Sequence, residues 1–119
     1  MKKIFVFIAV LTLALMAFGQ SIYNVLVNPS QNSYNVGTPV QIQWNFSGIP
    51  SNEKVIITLW REGGTQNICD IARDILISNR SYSWTIPETC TNPHTGQEEN
   101  LLQGRIKIRV RWTNWGAKV

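Results

Sequence analysis

Four basic side chains occupy alternate positions near the end of the 119-residue chain: Arg105, Lys107, Arg109 and Arg111. The residues between them are apolar, which is the pattern of a half-buried β-strand with one charged face. Such a row, extending over about 20 Å of strand, could bind an anionic polymer such as an acidic polysaccharide or the phosphates of a lipopolysaccharide. Alternatively, the cations only keep an exposed strand soluble and deter aggregation. The sequence favours this second interpretation.

Two tryptophans are candidates for stacking on a sugar ring or for contact with a partner protein. Trp60 lies in an apolar segment, on the face opposite Val55, Ile57 and Leu59, and Trp115 follows the basic row. An indole combines a large apolar surface with one N–H donor, which suits both kinds of contact. The alternative for Trp60 is partial burial on a strand that is apolar on both faces.

Residues that could support catalysis or bind a metal are few and poorly placed. His94 has no neighbouring nucleophile, and Glu98 and Glu99 are adjacent acids in a polar segment. These acids are better explained as a solvated loop than as a general acid/base pair. Asp70 and Asp74 do not fit a calcium-binding loop. We therefore predict a protein that is not an enzyme and has no cofactor or metal.

The first 19 residues have the features of a secretory signal peptide. Lys2 and Lys3 precede an apolar run, Ile4–Phe18, and Ala17 and Gly19 are the small residues expected before a cleavage site. The run is shorter than the roughly 20 residues of a membrane-spanning helix, although an uncleaved anchor is the alternative. We predict a signal peptide at 1–19 and one domain at 20–119. That domain is expected to be secreted, either periplasmic or extracellular, and free of the membrane after cleavage.

The cysteines and the net charge agree with export. Cys69 and Cys90 are the only two cysteines, and an oxidising compartment favours a disulfide between them. Two free thiols or half of a metal site are the alternatives, but a zinc site normally takes four ligands. Without Lys2 and Lys3 the formal net charge falls from +4 to +2, which gives no reason to expect a nucleic-acid partner.

Period-two alternation marks the elements that must position these side chains. The predicted strands are Ile22–Val27, Pro39–Phe46, Lys54–Trp60, one or two short strands within Ile68–Ile77, Ser81–Ile86 and Arg105–Trp112. Turn-forming residues separate them, and no amphipathic helix occurs between them. One long loop, Pro87–Gly104, contains Cys90. Short strands without intervening helices indicate an all-β sandwich.

Several of these segments resemble one family of secreted modules. They are Val27-Asn28-Pro29, Tyr34-Asn35-Val36-Gly37, Val40–Trp44, Val55–Trp60, Ser81–Pro87 and Ile106–Val110. They are similar to the N-terminal domain of yeast cell-wall synthesis proteins of the killer-toxin-resistance type. That family is also called the Ser-Thr-rich GPI-anchored membrane family, and it has secreted bacterial relatives. The resemblance implies an immunoglobulin (Ig)-like antiparallel β-sandwich of about six to seven strands, an extracellular or cell-envelope setting and no catalytic residues.

The resemblance also bears on the last strand and on function. In the family, a turn and one more strand follow the segment matching Arg105–Trp112. Here only Ala117–Val119 follow the turn Thr113–Gly116, so we expect the last strand to be missing or truncated. Arg105–Trp112 would then have an open edge, for which there are two explanations. The sequence is a fragment of a longer reading frame, which we favour, or the edge is native and pairs with a second copy or with a partner's strand. The predicted function is a secreted, non-catalytic binding or structural module whose partner is a polysaccharide or an envelope protein. The alternative is a carbohydrate-binding module for cell-wall or anionic polysaccharide, using Trp60, Trp115 and the basic row.

Overall fold

The computed structural model of the chain describes residues 2–7 and 20–113. Ten strands and one 3-10 turn (Ile77–Asn79) form the secondary structure of these residues. The strands are β1 (Lys3–Phe7), β2 (Ser21–Asn28), β3 (Ser33–Asn35), β4 (Pro39–Ser47), β5 (Lys54–Arg61), β6 (Asn67–Leu76), β7 (Ser81–Thr85), β8 (Thr89–Thr91), β9 (Glu98–Asn100) and β10 (Arg105–Trp112). In this part of the chain, no helix has the length and apolar character needed to cross a membrane.

The strands form a sandwich of a large and a small sheet. The large sheet has the order β3-β1-β10-β5-β6, the small sheet has the order β2-β4-β7, and β8 and β9 form a separate hairpin. The predicted all-β sandwich is therefore confirmed. Six strands correspond to predicted segments, whereas β1, β3, β8 and β9, each three to five residues long, are additional. Of these, β8 and β9 lie within the segment that the sequence indicated was a long loop.

Alternating side chains of both sheets meet in one core. In β10 the apolar residues are buried, with Ile106 and Ile108 at most 1% exposed. In β4 the buried positions are again every second residue, and they include Ile42 and Trp44. A slip of one residue would have exposed the apolar residues of β10 and buried its cations. The predicted assignment of the inner and outer faces of β10 is therefore confirmed.

Trp44 anchors the small sheet to the loop that precedes β7. Its indole is 2% exposed, and its Nε1–H donates a 2.9 Å hydrogen bond to the carbonyl oxygen of Ile77. Ile77 is itself fully buried, and its N–H donates to the carbonyl of Glu53. Because a buried indole N–H needs an acceptor, this bond fixes the ring as well as the turn.

The disulfide between Cys69 and Cys90 is present and ties the β8–β9 hairpin to the large sheet. Cys69 is opposite Leu59 in the β5–β6 pair, and its Cα lies 6.1 Å from that of Cys90 in β8. The segment for which one or two short strands were predicted is the single ten-residue strand β6. Its pairing with β5 contains three register shifts, which explain its irregular sequence pattern.

Strand β1 lies inside the predicted signal peptide. It pairs antiparallel with β3 and parallel with β10, where its partners are Arg105 to Lys107. Ile4 and Val6 are part of the core. Within the described ranges, the rest of β10 has β5 as its only sheet partner. The segment after Thr113, on which the expectation of a missing or truncated last strand depends, lies outside the described residues. That expectation and cleavage after Gly19 both stay predictions.

Candidate functional site

The predicted basic row lies on the outer face of the large sheet. Arg105 and Arg111 are exposed, whereas Lys107 and Arg109 are half-buried. The orientation follows from the alternation of β10, whose apolar residues fill the core on the other side. The part of the prediction that concerned orientation is confirmed, and binding of a polyanion remains a prediction.

Trp60 lies on this face, beside the basic row. In the antiparallel β5–β10 pair, Lys107 is opposite Trp60 and Arg109 is opposite Thr58. The Lys107 Nζ lies 6.0 Å from the centroid of the Trp60 ring, and the guanidinium carbon of Arg109 lies 5.4 Å from it. Both distances are typical of cation–π contacts. Trp60 and three cations of the row thus share one surface, the basic–tryptophan face, formed by Trp60, Lys107, Arg109 and Arg111. The fourth cation, Arg105, lies 3.9 Å from the carboxylate of Glu62.

A hydrogen bond to a residue of its own strand orients the indole of Trp60. Its Nε1–H donates a 3.0 Å hydrogen bond to Oγ1 of Thr58, two residues earlier on the same outer face of β5. Thr58 is only 6% exposed and Trp60 is half-buried. The alternative of a partly buried tryptophan therefore describes its burial correctly. The ring is hydrogen-bonded through its N–H, and two cations lie near its face.

Positive charge on the face is not neutralised by neighbouring carboxylates. No described carboxylate lies within 4.0 Å of Lys107, Arg109 or Arg111. The nearby Asp70, opposite Thr58 on β6, is bound to Arg73 through a 2.8 Å hydrogen bond. Burial lowers the pKa of Arg109 from its ordinary value, and the charge of Arg111 adds to this effect. An anion bound here would relieve both the lost hydration and the repulsion between like charges.

The geometry suits an extended ligand with regularly spaced negative charges. Alternate residues of a strand are about 7 Å apart, so Lys107, Arg109 and Arg111 form a line along β10. Guanidinium groups bind sulfate, phosphate or carboxylate groups in a forked geometry. Trp60 adds an apolar surface at the Lys107 end of the line. The second stacking candidate, Trp115, lies outside the described residues.

A second surface, which the sequence did not single out, lies on the small sheet. A depression of about 610 Å³ is lined by Asn24, Val25, Leu26, Gln43, Trp44, Asn45, Arg80 and Ser81. It adjoins the irregularity between β2 and β4, where Asn24 has a φ of 53°. Arg80 lies over the ring of Phe46 at 4.5 Å and donates a hydrogen bond to Asn45. The depression lies beside this register shift, which alternation in the sequence does not reveal.

The candidates that were set aside for catalysis lie around the β8–β9 hairpin. Adjacent residues of a strand point to opposite faces, and accordingly Glu98 accepts a hydrogen bond from Thr91 whereas Glu99 accepts from Asn92 and Arg61. The hydrogen bond from Asn92, followed by the charge and hydrogen bond of Arg61, holds the pKa of Glu99 below its ordinary value.

Side-chain hydrogen bonds connect the β8–β9 hairpin to the large sheet. The ring Nε2 of His94 lies 2.9 Å from the amide oxygen of Asn67 on β6, so the histidine links the hairpin to the large sheet. Among residues 2–7 and 20–113 no group of three His, Cys, Asp or Glu side chains could hold a metal ion.

No family model matches the sequence, and comparisons with curated proteins and with solved structures find no match either.

Proposed function

We propose that this protein is a non-catalytic, Ig-like binding module that works outside the cytoplasm, at the cell envelope, and that it binds an anionic polysaccharide through the basic–tryptophan face. The observation that carries the proposal is the position of Trp60 between Thr58 and the cations Lys107 and Arg109. The envelope setting is supported by the disulfide and by the signal-like N-terminus. The resemblance to killer-toxin-resistance-type domains belongs to the same proposal.

The charges of the face favour a polyanion over a neutral sugar. A neutral sugar would stack on an open indole, whereas Lys107 and Arg109 both pack within 6.0 Å of the Trp60 ring centroid. A row of cations that serves only solubility needs no aromatic platform. Lys107 and Arg109, which have no described carboxylate partner, adjoin a ring that is hydrogen-bonded to Thr58, and this arrangement favours binding over the solubility explanation.

Retention on immobilised heparin, used as a model sulfated polysaccharide, tests the proposal with single-charge variants. Lys107→Gln, Arg109→Gln and Arg111→Gln should each elute at lower salt than the wild type, because affinity for a polyanion falls with each cation lost. Arg80→Gln is the matched control, since it removes one positive charge from the small sheet.

Two further measurements separate the alternatives. Trp60→Leu should weaken retention without any change in net charge, which a purely electrostatic surface would not show. Binding to a neutral β-glucan should be weaker than binding to heparin. If Arg80→Gln lowers elution salt as much as Arg109→Gln does, retention reports net charge alone and the proposed site is wrong. If an envelope protein binds through this face and heparin does not, the ligand class is wrong.

A further inference from the structure

The edge of the large sheet contains a cleft that takes up one extended strand. In the full chain this strand is β1, which lies between β3 and β10. Ile4 is opposite Tyr34 of β3, and Val6 is opposite Ile106 of β10. The N–H of Val36 also donates to the carbonyl of Lys2 at 3.3 Å. The backbone of β1 therefore has sheet partners on both sides.

The cleft selects for aliphatic side chains at two alternate positions. Ile4 is 0% exposed and Val6 is 4% exposed, so both are as buried as the interior residues of β10. Between them Phe5 points outward and is 50% exposed. An occupant thus needs a β-branched or similar aliphatic residue at each inward position, and its outward residue meets solvent.

Opposite charges at the two ends of the cleft give the occupant a direction. At the first end, Nζ of Lys2 lies 2.8 Å from Oε1 of Glu88. At the other end, position 7 is opposite Lys107, which has no described carboxylate partner. An acidic residue at position 7 would lie beside Lys107, where the chain itself has Phe7. The best occupant therefore carries a cation at its N-terminal end and an anion at its C-terminal end.

We propose that the cleft between β3 and β10 is a strand-acceptor site. Lys3–Phe7 fills it before processing. After cleavage of the N-terminal segment, the site binds one extended strand of a partner polypeptide, parallel to β10, with aliphatic inward residues and an acidic residue beside Lys107. The inference uses the predicted cleavage; the cleft shares Lys107 with the basic–tryptophan face, and its test requires no polysaccharide.

A partner strand fits the structure better than a second copy of this chain. Strand β3, whose only partner is β1, is three residues long and forms one wall of the cleft. Within the described residues, each of the other eight strands keeps a partner in a sheet or in the β8–β9 hairpin when β1 leaves. A second copy could donate one of them only by breaking its own pairing. Vacating the cleft would uncover Ile106 and Tyr34, which are at most 3% exposed in the full chain. Burying such apolar surface again is the driving force for uptake of a new strand.

The test uses the full chain with a site-specific protease sequence placed within residues 9–18, folded and then cut. A fluorescent peptide with the sequence of Lys2–Phe7 is added, and binding is followed by anisotropy. The peptide should replace the severed segment. Its Ile4→Asp version should bind at least about tenfold more weakly, because an ionised carboxylate would be buried. Its Phe7→Glu version should bind more tightly than the parent peptide. The uncut chain, in which the cleft is filled, is the matched control and should not bind.

Other outcomes would overturn the proposal. Equal binding of the parent and Ile4→Asp peptides would show that the cleft does not select an aliphatic side chain at position 4. If light scattering shows that the cut chain is a dimer and the peptide does not bind, a second copy is the occupant of the cleft. A monomer that refuses the peptide while the amides of Arg105–Lys107 stay protected from exchange would show that the chain closes the cleft itself. If the cut chain unfolds, recovery of structure with the parent peptide and not with Ile4→Asp supports the proposal, and recovery with neither contradicts it.

Discussion

Replacing both cysteines in the variant Cys69→Ala/Cys90→Ala should destabilise the domain without removing its basic–tryptophan face. The disulfide joins β6 to β8, and the hairpin beyond it supplies the Glu99 carboxylate that binds Arg61 at 3.3 Å. Cys69 is 1% exposed, so alanine is preferred to serine, which would bury a hydroxyl group. The basic–tryptophan face is carried by β5 and β10, which pair directly over seven residues.

The expected magnitude follows from the length of the closed loop. The two cysteines are 21 residues apart, and for such a loop the entropy lost by the unfolded chain corresponds to about 3 kcal/mol at 25 °C. The buried sulfur of Cys69 adds about 1 kcal/mol of lost apolar contact in the alanine variant. For a domain of this size, 3 kcal/mol corresponds to a decrease in Tm of roughly 12–24 °C.

Thermal unfolding followed by circular dichroism measures the effect. Wild-type protein with its disulfide reduced is the control, because it loses the cross-link and keeps both side chains. It should lie about 1 kcal/mol above the alanine variant in stability. At temperatures where the variant is folded, its retention on heparin should match that of the wild type. A loss of less than about 1 kcal/mol in both reduced protein and variant would refute the loop-entropy reasoning.

Two further predictions concern the core and the hairpin. Trp44→Phe removes the donor to the Ile77 carbonyl and leaves a gap in the core, so the free energy of unfolding in urea should fall by about 2–3 kcal/mol; no change would mean that this bond contributes nothing. Glu99 has a folded-state pKa below its ordinary value of 4.5, so its stabilising effect is present above pH 4.5 and is lost as the pH falls through the lower folded-state value. Glu99→Gln should therefore reduce the fall in Tm upon acidification below pH 4.5, and an unchanged acid limb would contradict the role of Asn92 and Arg61.

The strand pattern of the sandwich could be predicted because burial here follows period two. From Val40 to Trp44 in β4 and from Ile106 to Trp112 in β10 every second residue is buried, so the alternation of apolar and polar residues identifies both the strand and its inner face. In β5, five consecutive residues from Val55 to Leu59 are buried, and the sequence accordingly showed two apolar faces. Prediction was poorer for β8 and β9, since strands of three residues contain too few alternations to differ from a loop.

The basic–tryptophan face was only partly predictable for a related reason. Alternation placed the cations of β10 on one face, and it placed Trp60 on one face of β5. Whether these two faces meet depends on the pairing register, in which Lys107 is opposite Trp60. The register between strands that are 40 or more residues apart is a property of the folded sheet, and it cannot be derived from the sequence of either strand alone. The depression near Arg80 lies beside an irregularity between β2 and β4, which is likewise a feature of strand pairing.

The N-terminal segment shows why one stretch of sequence can satisfy two physical requirements. A secretory leader needs a cation followed by consecutive apolar residues, and a strand buried at a sheet edge needs aliphatic residues at alternate positions. Lys3–Phe7 meets both conditions. Lys3 is followed by consecutive apolar residues, and two of these, Ile4 and Val6, also fill the core at alternate positions. No periodicity analysis separates these two roles, since a continuous apolar run contains every alternating pattern. If the leader is cleaved, the fold loses two core residues at the edge where β10 has no other described partner, and processing itself would then create the strand-acceptor site.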